Sequence, residues 1–302
     1  MTAAQRYRSV FAPGLYAGRR IVVTGGGSGI GRCTAHELAS LGAEVLLCGR
    51  KADKLERVRD EIVEDGGQAS IAAFDIRDEA AVRDTVASLL AGGPIYGLVN
   101  NAGGQFPSPA QAIGKKGFEA VVATNLTGGF LVARELYTQH FARHGGAIVN
   151  MLADMWGGMP AMAHSGAARA GMLNLTQTLA VEWASRGVRV NAVAPGFVAS
   201  SGMDSYDPSF TREVIPQMAA EIPLGRLADE SEVSAAIVFL LSDAASFITG
   251  AVLCIDGGGS LNTKLFPLSG VPADSATSRP YDGFHRAQPP AALDALKPKL
   301  PT

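Results

Sequence analysis

No acidic residue occurs before Glu37, and the 302-residue chain is also poor in cysteine, in charge and in long apolar runs. Its three cysteines, Cys33, Cys48 and Cys254, lie in separate apolar stretches without a CxxC pair. That excludes a disulfide or metal framework and fits reduced thiols in a core. Lys and Arg number 26 against 28 Asp and Glu, and a net charge of −2 offers no general attraction to nucleic acid or to an anionic membrane. No apolar run approaches the ~18 residues of a membrane-spanning helix. The N-terminus lacks the apolar stretch of a secretory signal. Its acid-free, Arg-containing start resembles a transit peptide, but it leads straight into a strand that the fold needs. The cytoplasm is therefore the expected compartment.

Glycine is the residue in excess, with 36 copies, about 12% of the chain where about 7% is usual. The glycines follow no collagen period, so they are expected at tight turns and at backbone contacts with a ligand. Hydrophobic residues make up 47%, enough for a large core. Short β-branched runs over 21–24, 44–48, 70–74, 97–100, 147–151, 188–193 and 252–255 alternate with helical patterns over 30–41, 53–65, 79–90, 116–140, 167–185 and 230–242. Most of the runs are apolar on both faces. The alternation predicts an α/β fold, a single doubly wound parallel sheet of Rossmann type with helices on both faces. Residues 265–302 hold seven of the 16 prolines and little periodicity. The expected division is a leader at 1–18, one cofactor-binding and catalytic domain at 19–262, and a Pro-rich arm or tail at 263–302.

Ile21-Val22-Val23-Thr24 is followed by Gly25-Gly26-Gly27-Ser28-Gly29-Ile30-Gly31 and then by a helical pattern. Glycine permits the sharp turn and lets a phosphate approach backbone N–H groups, while the helix N-terminus adds partial positive charge. Alone, such a loop is a flexible turn; between the first strand and a helix it marks a dinucleotide crevice. An NAD site would place a carboxylate at the end of the second strand, where this chain has Arg50 and Lys51. A guanidinium pairs with the 2′-phosphate that a carboxylate would repel, so NADPH is the expected cofactor. The same two cations would also serve as the solvated opening of a helix.

These residues resemble the short-chain dehydrogenase/reductase family over about residues 18–260. Thr24-Gly25 with Gly29 and Gly31 resembles its cofactor loop, and Asn100-Asn101-Ala102-Gly103 its motif after the fourth strand. Asp75, with Ile76 beside it, stands where the family contacts adenine, and Asn125 matches its active-site asparagine. Pro195-Gly196, with Val198 and Ser200, resembles the segment that holds the nicotinamide carboxamide; Asp256-Gly257-Gly258 closes the pattern. The resemblance implies cofactor contacts from Gly25, Gly27, Ser28, Gly29, Ile30 and Gly31, from Arg50, Lys51, Asp75 and Ile76, and from Asn101, Ala102, Gly103 and Arg169. Pro195, Gly196, Val198 and Ser200 complete that set.

The family's usual catalytic residues are missing. Alignment on Leu173-Asn174-Leu175-Thr176 puts Ser165 at its tyrosine position, Arg169 at its lysine position and Leu152 at its serine position. Loss of the phenol argues against ordinary carbonyl reduction, which must protonate a developing alkoxide. His164-Ser165-Gly166-Ala167-Ala168-Arg169-Ala170-Gly171 and Gly103-Gly104-Gln105-Phe106 are similar to the peroxisomal trans-2-enoyl-CoA reductase group. So are Ala12-Pro13-Gly14-Leu15 and Ala245-Ser246-Phe247-Ile248-Thr249-Gly250. That group, like the 2,4-dienoyl-CoA reductases, reduces a double bond conjugated to a thioester with NADPH. The resemblance implies an acyl-CoA substrate and a homo-oligomer, usually a tetramer, paired through the helices at 116–140 and 167–185. Leu300-Pro301-Thr302 is unlike a peroxisomal address of the S-K-L type, so the compartment does not carry over.

Reduction of an enoyl thioester sends hydride to Cβ and charge to the thioester oxygen, where each well-aimed donor lowers the barrier by about 2.7–4 kcal/mol. Ser165 is the expected first donor, and Asn125 positions a water or a backbone group. Arg169, one turn beyond Ser165 on the same helix face, clamps the nicotinamide ribose but cannot shuttle protons. Asp154 is a candidate proton relay if burial raises its pKa, and a turn-capping role would suit it equally. His164 reads as structural. Tyr206 is a candidate to close over substrate, and Met203, Phe210 and Met218, within 197–225, suit an apolar chain. Three functions follow in order. The first is NADPH-dependent reduction of the 2,3 double bond of trans-2-enoyl-CoA thioesters. The second is an NADP-dependent alcohol or carbonyl dehydrogenase of terpenoid or acyl substrates, and the third a non-catalytic NADPH-binding scaffold.

Overall fold

The computed structural model describes residues 6–205, 214, 217–262 and 278–294. Seven parallel strands make one sheet: β1 Arg20–Thr24, β2 Glu44–Gly49, β3 Gln68–Ala73, β4 Gly97–Asn100, β5 Gly146–Met151, β6 Val188–Pro195 and β7 Val252–Ile255. The described helices are α1 Gly29–Ser40, α2 Ala52–Glu64, α3 Glu79–Ala91, α4 Lys115–Val122, α5 Gly128–Leu136, α6 Ala142–His144, α7 Ala163–Trp183, α8 Glu230–Leu241 and α9 Ala291–Asp294. The spatial order β3-β2-β1-β4-β5-β6-β7 reverses between β1 and β4. The carboxyl ends of those two strands therefore open the crevice in which doubly wound sheets hold ligands. Register sets Thr24 beside Cys48 and Val23 beside Val99, which brings the glycine loop after β1 against the corner after β4.

The central strands are largely apolar because both faces are covered. Ile21, Val23, Val45 and Leu47 pack with residues of α1, α2 and α8. Their alternating neighbours, Val22, Leu46 and Cys48, pack on the other side with α3, α5 and α7. Local signals fix the helix starts: the Asp78 side chain accepts from Ala81 N–H at α3, and Asp229 and Glu232 form a capping box at α8.

One helix differs from its sequence pattern. The stretch expected at 116–140 runs from Lys115 to His144 and widens twice, into π turns at Ala123–Thr127 and Tyr137–Phe141. An apolar stripe does not reveal such a widening, which commonly marks functional positions. The first π turn carries Asn125. The helix expected at 167–185 starts earlier, at Ala163, so Ser165 and Arg169 both lie in its opening turns.

Described parts of both chain ends meet on the α1–α2–α8 side. Tyr7 and Phe284 are buried with Cys33, and the Arg8 N–H donates to the Gly283 carbonyl at 2.9 Å. Arg286 pairs with Glu64, the last residue of α2, and with Asp65, which caps it. Beneath this clasp, the fully buried Glu37 accepts from the hydroxyls of Tyr7, Ser9 and Ser234. Burial pushes its carboxyl above the usual range despite those donors. Among the described residues no helix is long and apolar enough to cross a membrane.

Candidate active site

The loop between β1 and α1 turns at Gly25 and Gly29, whose φ angles are +68° and +56°. A Cβ at Gly25 would lie 2.8 Å from Asn101 Nδ2, and one at Gly31 would lie 2.4 Å from the Gly25 carbonyl oxygen. Asn101 locks the loop, its Nδ2 donating to the Thr24 carbonyl at 3.0 Å. Thr24 Oγ1 in turn accepts the N–H groups of Asn101 and Ala102, each at 3.0 Å. The inner side is thus filled by protein, whereas a Cβ on Gly29 would find nothing nearer than 3.9 Å. A cradle closed behind and open in front, at a helix start, fits a pyrophosphate. Ser28 precedes α1 with no side-chain cap bond of its own, Gly27 lies against Lys54, and Ile30 packs on the first core.

The other expected cofactor contacts surround this crevice. Arg50 and Lys51 are exposed just beyond β2. Asp75 is paired with Arg77, whose hydrogen bonds hold its carboxyl below the usual range. Ile76 is buried against Gly128. After β6, whose last residue is Pro195, the Gly196 N–H donates to the Ile255 carbonyl at 3.0 Å, and Ser200 N–H to the Val198 carbonyl at 2.8 Å. Val198 itself is buried and bridges to Ala228.

Three of the four expected catalytic residues, Asn125, Ser165 and Arg169, converge on the loop after β4, whereas Asp154 lies by the segment after β6. A Cβ at Gly103 would lie 2.8 Å from Arg169 Nη2 and 3.1 Å from Asn125 Oδ1. Asn125 Oδ1 accepts the Gly104 N–H at 2.9 Å, and its Nδ2 is buried without a partner. Arg169 donates through Nη1 to the Met151 carbonyl and leaves Nε unpartnered. Among the described residues no carboxylate pairs with it, and burial lowers its pKa to about 10, which still leaves it charged at neutral pH. Ser165 is fully buried, and its hydroxyl donates to Gln105 Oε1 at 2.6 Å. The one hydroxyl proton is therefore committed to Gln105, whose Nε2 carries the carboxamide's own donors.

His164 Nδ1 accepts the Ser165 N–H at 2.8 Å, and its ring meets Phe106 edge-on at 4.4 Å. The ring is wholly buried with Nε2 unpartnered. Asp154 is anchored by its own N–H, which donates to the Pro195 carbonyl at 2.8 Å. Its carboxyl lines a pocket with Gly196, Phe197, Ile222 and Asp256. Burial raises that carboxyl above the usual range, and the charge of Asp256 adds to the effect. Met203 and Met218 are buried in a cluster of their own, while Tyr206 and Phe210 lie outside the described residues.

No described tyrosine replaces the missing phenol. Tyr7 and Tyr281 bond to Glu37, Tyr16 donates to the Val238 carbonyl, Tyr96 to the Leu241 carbonyl, and Tyr137 stacks on Trp183. Gln105 is the residue of this site that the sequence motifs do not single out. Its signal in the sequence is a carboxamide following two glycines in the loop after β4.

Comparison with known proteins places this geometry. A family model described as enoyl-(acyl carrier protein) reductase matches residues 25–260. The chain is 38% identical over 258 residues to a probable 2,4-dienoyl-CoA reductase [(2E)-enoyl-CoA-producing] of Bacillus subtilis (strain 168), covering 82% of this chain and 99% of that relative. It is 60% identical to the solved structure of a citronellol catabolism dehydrogenase of Pseudomonas aeruginosa PAO1, with a TM-score of 0.76 over 84% of this chain and 100% of that one. A putative NAD(P)-dependent gluconate 5-dehydrogenase from Beutenbergia cavernae, solved with bound NADP at low occupancy, is 36% identical at a TM-score of 0.77, covering 83% of this chain and 100% of the other.

Proposed function

The chain belongs to the short-chain dehydrogenase/reductase family of oxidoreductases, and from that premise we propose that it reduces the 2,3 double bond of trans-2-enoyl-CoA thioesters with NADPH. The observation that carries this reading is the Ser165–Gln105 hydrogen bond beside a buried Arg169 that pairs with no carboxylate among the described residues, where the family's tyrosine and lysine would stand. Carbonyl reduction needs an acid at the alkoxide, whereas an enolate needs fixed donors and a positive field while the proton goes to Cα. This site is built from amide donors and a cation.

The roles follow from position. Gly25, Gly27, Ser28, Gly29, Ile30 and Gly31 would hold the pyrophosphate, Arg50 and Lys51 the 2′-phosphate, and Asp75 with Ile76 the adenine end. Asn101, Ala102 and Gly103 line the crevice, Arg169 binds the nicotinamide ribose, and Pro195, Gly196, Val198 and Ser200 hold the carboxamide. When bound there, NADPH supplies the hydride. Gln105 Nε2 donates to the thioester oxygen with its orientation fixed by Ser165, and Asn125 holds the Gly104 backbone in place. Asp154, a carboxyl that keeps its proton to higher pH than usual, supplies or relays the proton to Cα. Assembly as a homotetramer belongs to the same proposal; Val181, Phe247 and Leu261 are large apolar side chains that one subunit leaves exposed.

The 60% identity to a citronellol catabolism dehydrogenase favours a second reading, NADP-dependent oxidation of a terpenoid alcohol with Asp154 as proton acceptor. A substrate panel separates the two. Absorbance at the reduced-nicotinamide band should fall when NADPH meets short- or medium-chain trans-2-enoyl-CoA, and should not rise when NADP⁺ meets terpenoid alcohols. The reverse pattern would replace the first reading by the second.

A further inference from the structure

Glu230, the first residue of α8, takes no part in the chemistry above. A Cβ on Gly29, in the open side of the cradle, would have Glu230 Oε1 as its nearest neighbour at 3.9 Å and Ser201 Oγ next at 4.0 Å. The Glu230 carboxyl also accepts the backbone N–H of Ser201, which follows Ser200 and opens the short turn Ser201–Ser205. One side chain thus stands between the loop shaped for a pyrophosphate and the loop after β6.

The groups around it decide its charge. From α1, Arg32 favours the carboxylate, but its guanidinium is already engaged by Glu61 at 2.8 Å and by the Arg286 carbonyl. Cys33, also on α1, is a buried thiol. From α8 itself, Asp229 opposes the carboxylate, and from the β6 loop the Ser201 N–H favours it. Burial outweighs the favourable contacts and lifts the Glu230 carboxyl to about 7. A pyrophosphate seated on the 27–31 loop would bring further negative charge to the same place, and like charges in a partly desolvated site oppose one another.

We propose that Glu230 is a positioning residue of the dinucleotide site that accompanies bound cofactor as the neutral acid, so that cofactor binding takes up one proton at this side chain and keeps the Ser201 turn against the cradle. The inference rests on a dinucleotide occupying the cradle. It predicts that affinity falls as pH rises above neutrality, by up to about tenfold per pH unit once the free site is ionised.

Isothermal titration of NADPH into the full chain, in buffers of different ionisation enthalpy, counts the protons taken up. The cofactor's 2′-phosphate titrates near ~6 and contributes equally to every variant, so the difference between proteins isolates Glu230. Above neutral pH the unaltered chain is expected to take up close to one more proton per site than Glu230→Gln. The variant should also bind NADPH more tightly than the unaltered chain at alkaline pH, with a flatter affinity profile. Glu230→Ala should give the same flat profile and serves if the Gln variant does not fold. Equal proton uptake in all three proteins overturns the inference, as does weaker binding by folded variants at every pH. Failure of the unaltered chain to bind NADPH or NADH at all would instead remove the cofactor reading beneath it.

Discussion

The Ser165 hydroxyl donates to Gln105 Oε1 at 2.6 Å, from a position that no solvent reaches. The pair joins the first turns of α7 to the loop after β4 and fixes which end of the Gln105 carboxamide is the acceptor and which the donor. Gln105→Leu is expected to lower kcat for enoyl-CoA reduction by about 10²–10³, the loss typical of one oxyanion donor. The Kd for NADPH should be unchanged. Ser165→Ala should cost less, because Nε2 remains, and the double variant should be no worse than Gln105→Leu alone. Steady-state kinetics on the four proteins checks this; independent, multiplying losses would contradict it.

Arg169 is buried with one carbonyl acceptor and an unpartnered Nε. A buried cation without a counter-charge costs stability, and an apolar side chain of similar length removes that cost. Arg169→Met is therefore expected to leave Tm equal or raised while kcat falls by about 10² or more. Thermal denaturation and turnover, measured on the same preparation, give both quantities.

Arg50 is exposed at the end of β2, where a carboxylate would select the unphosphorylated ribose. Arg50→Asp should weaken NADPH binding by tenfold or more, about 1.4 kcal/mol at the least, and leave NADH binding equal or improved. Fluorescence titration with the two cofactors measures the ratio.

Two carboxyls contribute to the pH profile of stability with opposite signs. At Glu61 burial is outweighed by hydrogen bonds from His36 and Arg32, which hold its pKa at about 2. Its folded value lies below the unfolded one, so the stability it contributes is present above about 4.3 and is lost as pH falls towards 2. Glu37 has the opposite sign: burial raises it in the folded chain, so stability declines as pH rises through the raised value. Urea midpoints across pH should show a shallower acid loss for Glu61→Gln and, for Glu37→Gln, a shallower decline as pH rises above the usual carboxylate range.

Much of this is legible in the amino-acid sequence. Covered strands are continuous apolar runs and the cradle needs glycine, so both appear in the sequence with their order. The π turn at Asn125 was not legible, because its residues continue an unbroken helical pattern. Nor was the Ser165–Gln105 bond, which joins residues 60 positions apart. The clasp of Tyr7, Cys33 and Phe284 also depends on long-range packing, and a proline-rich tail gives no period from which to read it. Glu230 looks like an ordinary first-turn acid of α8 until Gly29 is placed beside it.

The most direct test follows an isotope. NADPH carrying deuterium at the transferred position is incubated with the protein and a trans-2-enoyl-CoA, and the products are read by mass spectrometry and NMR. The expected result is saturated acyl-CoA with deuterium at Cβ and a solvent-derived hydrogen at Cα. Recovery of the enoyl thioester unreduced, while the same labelled cofactor reduces a terpenoid aldehyde to an alcohol with deuterium on its carbinol carbon, would contradict double-bond reduction.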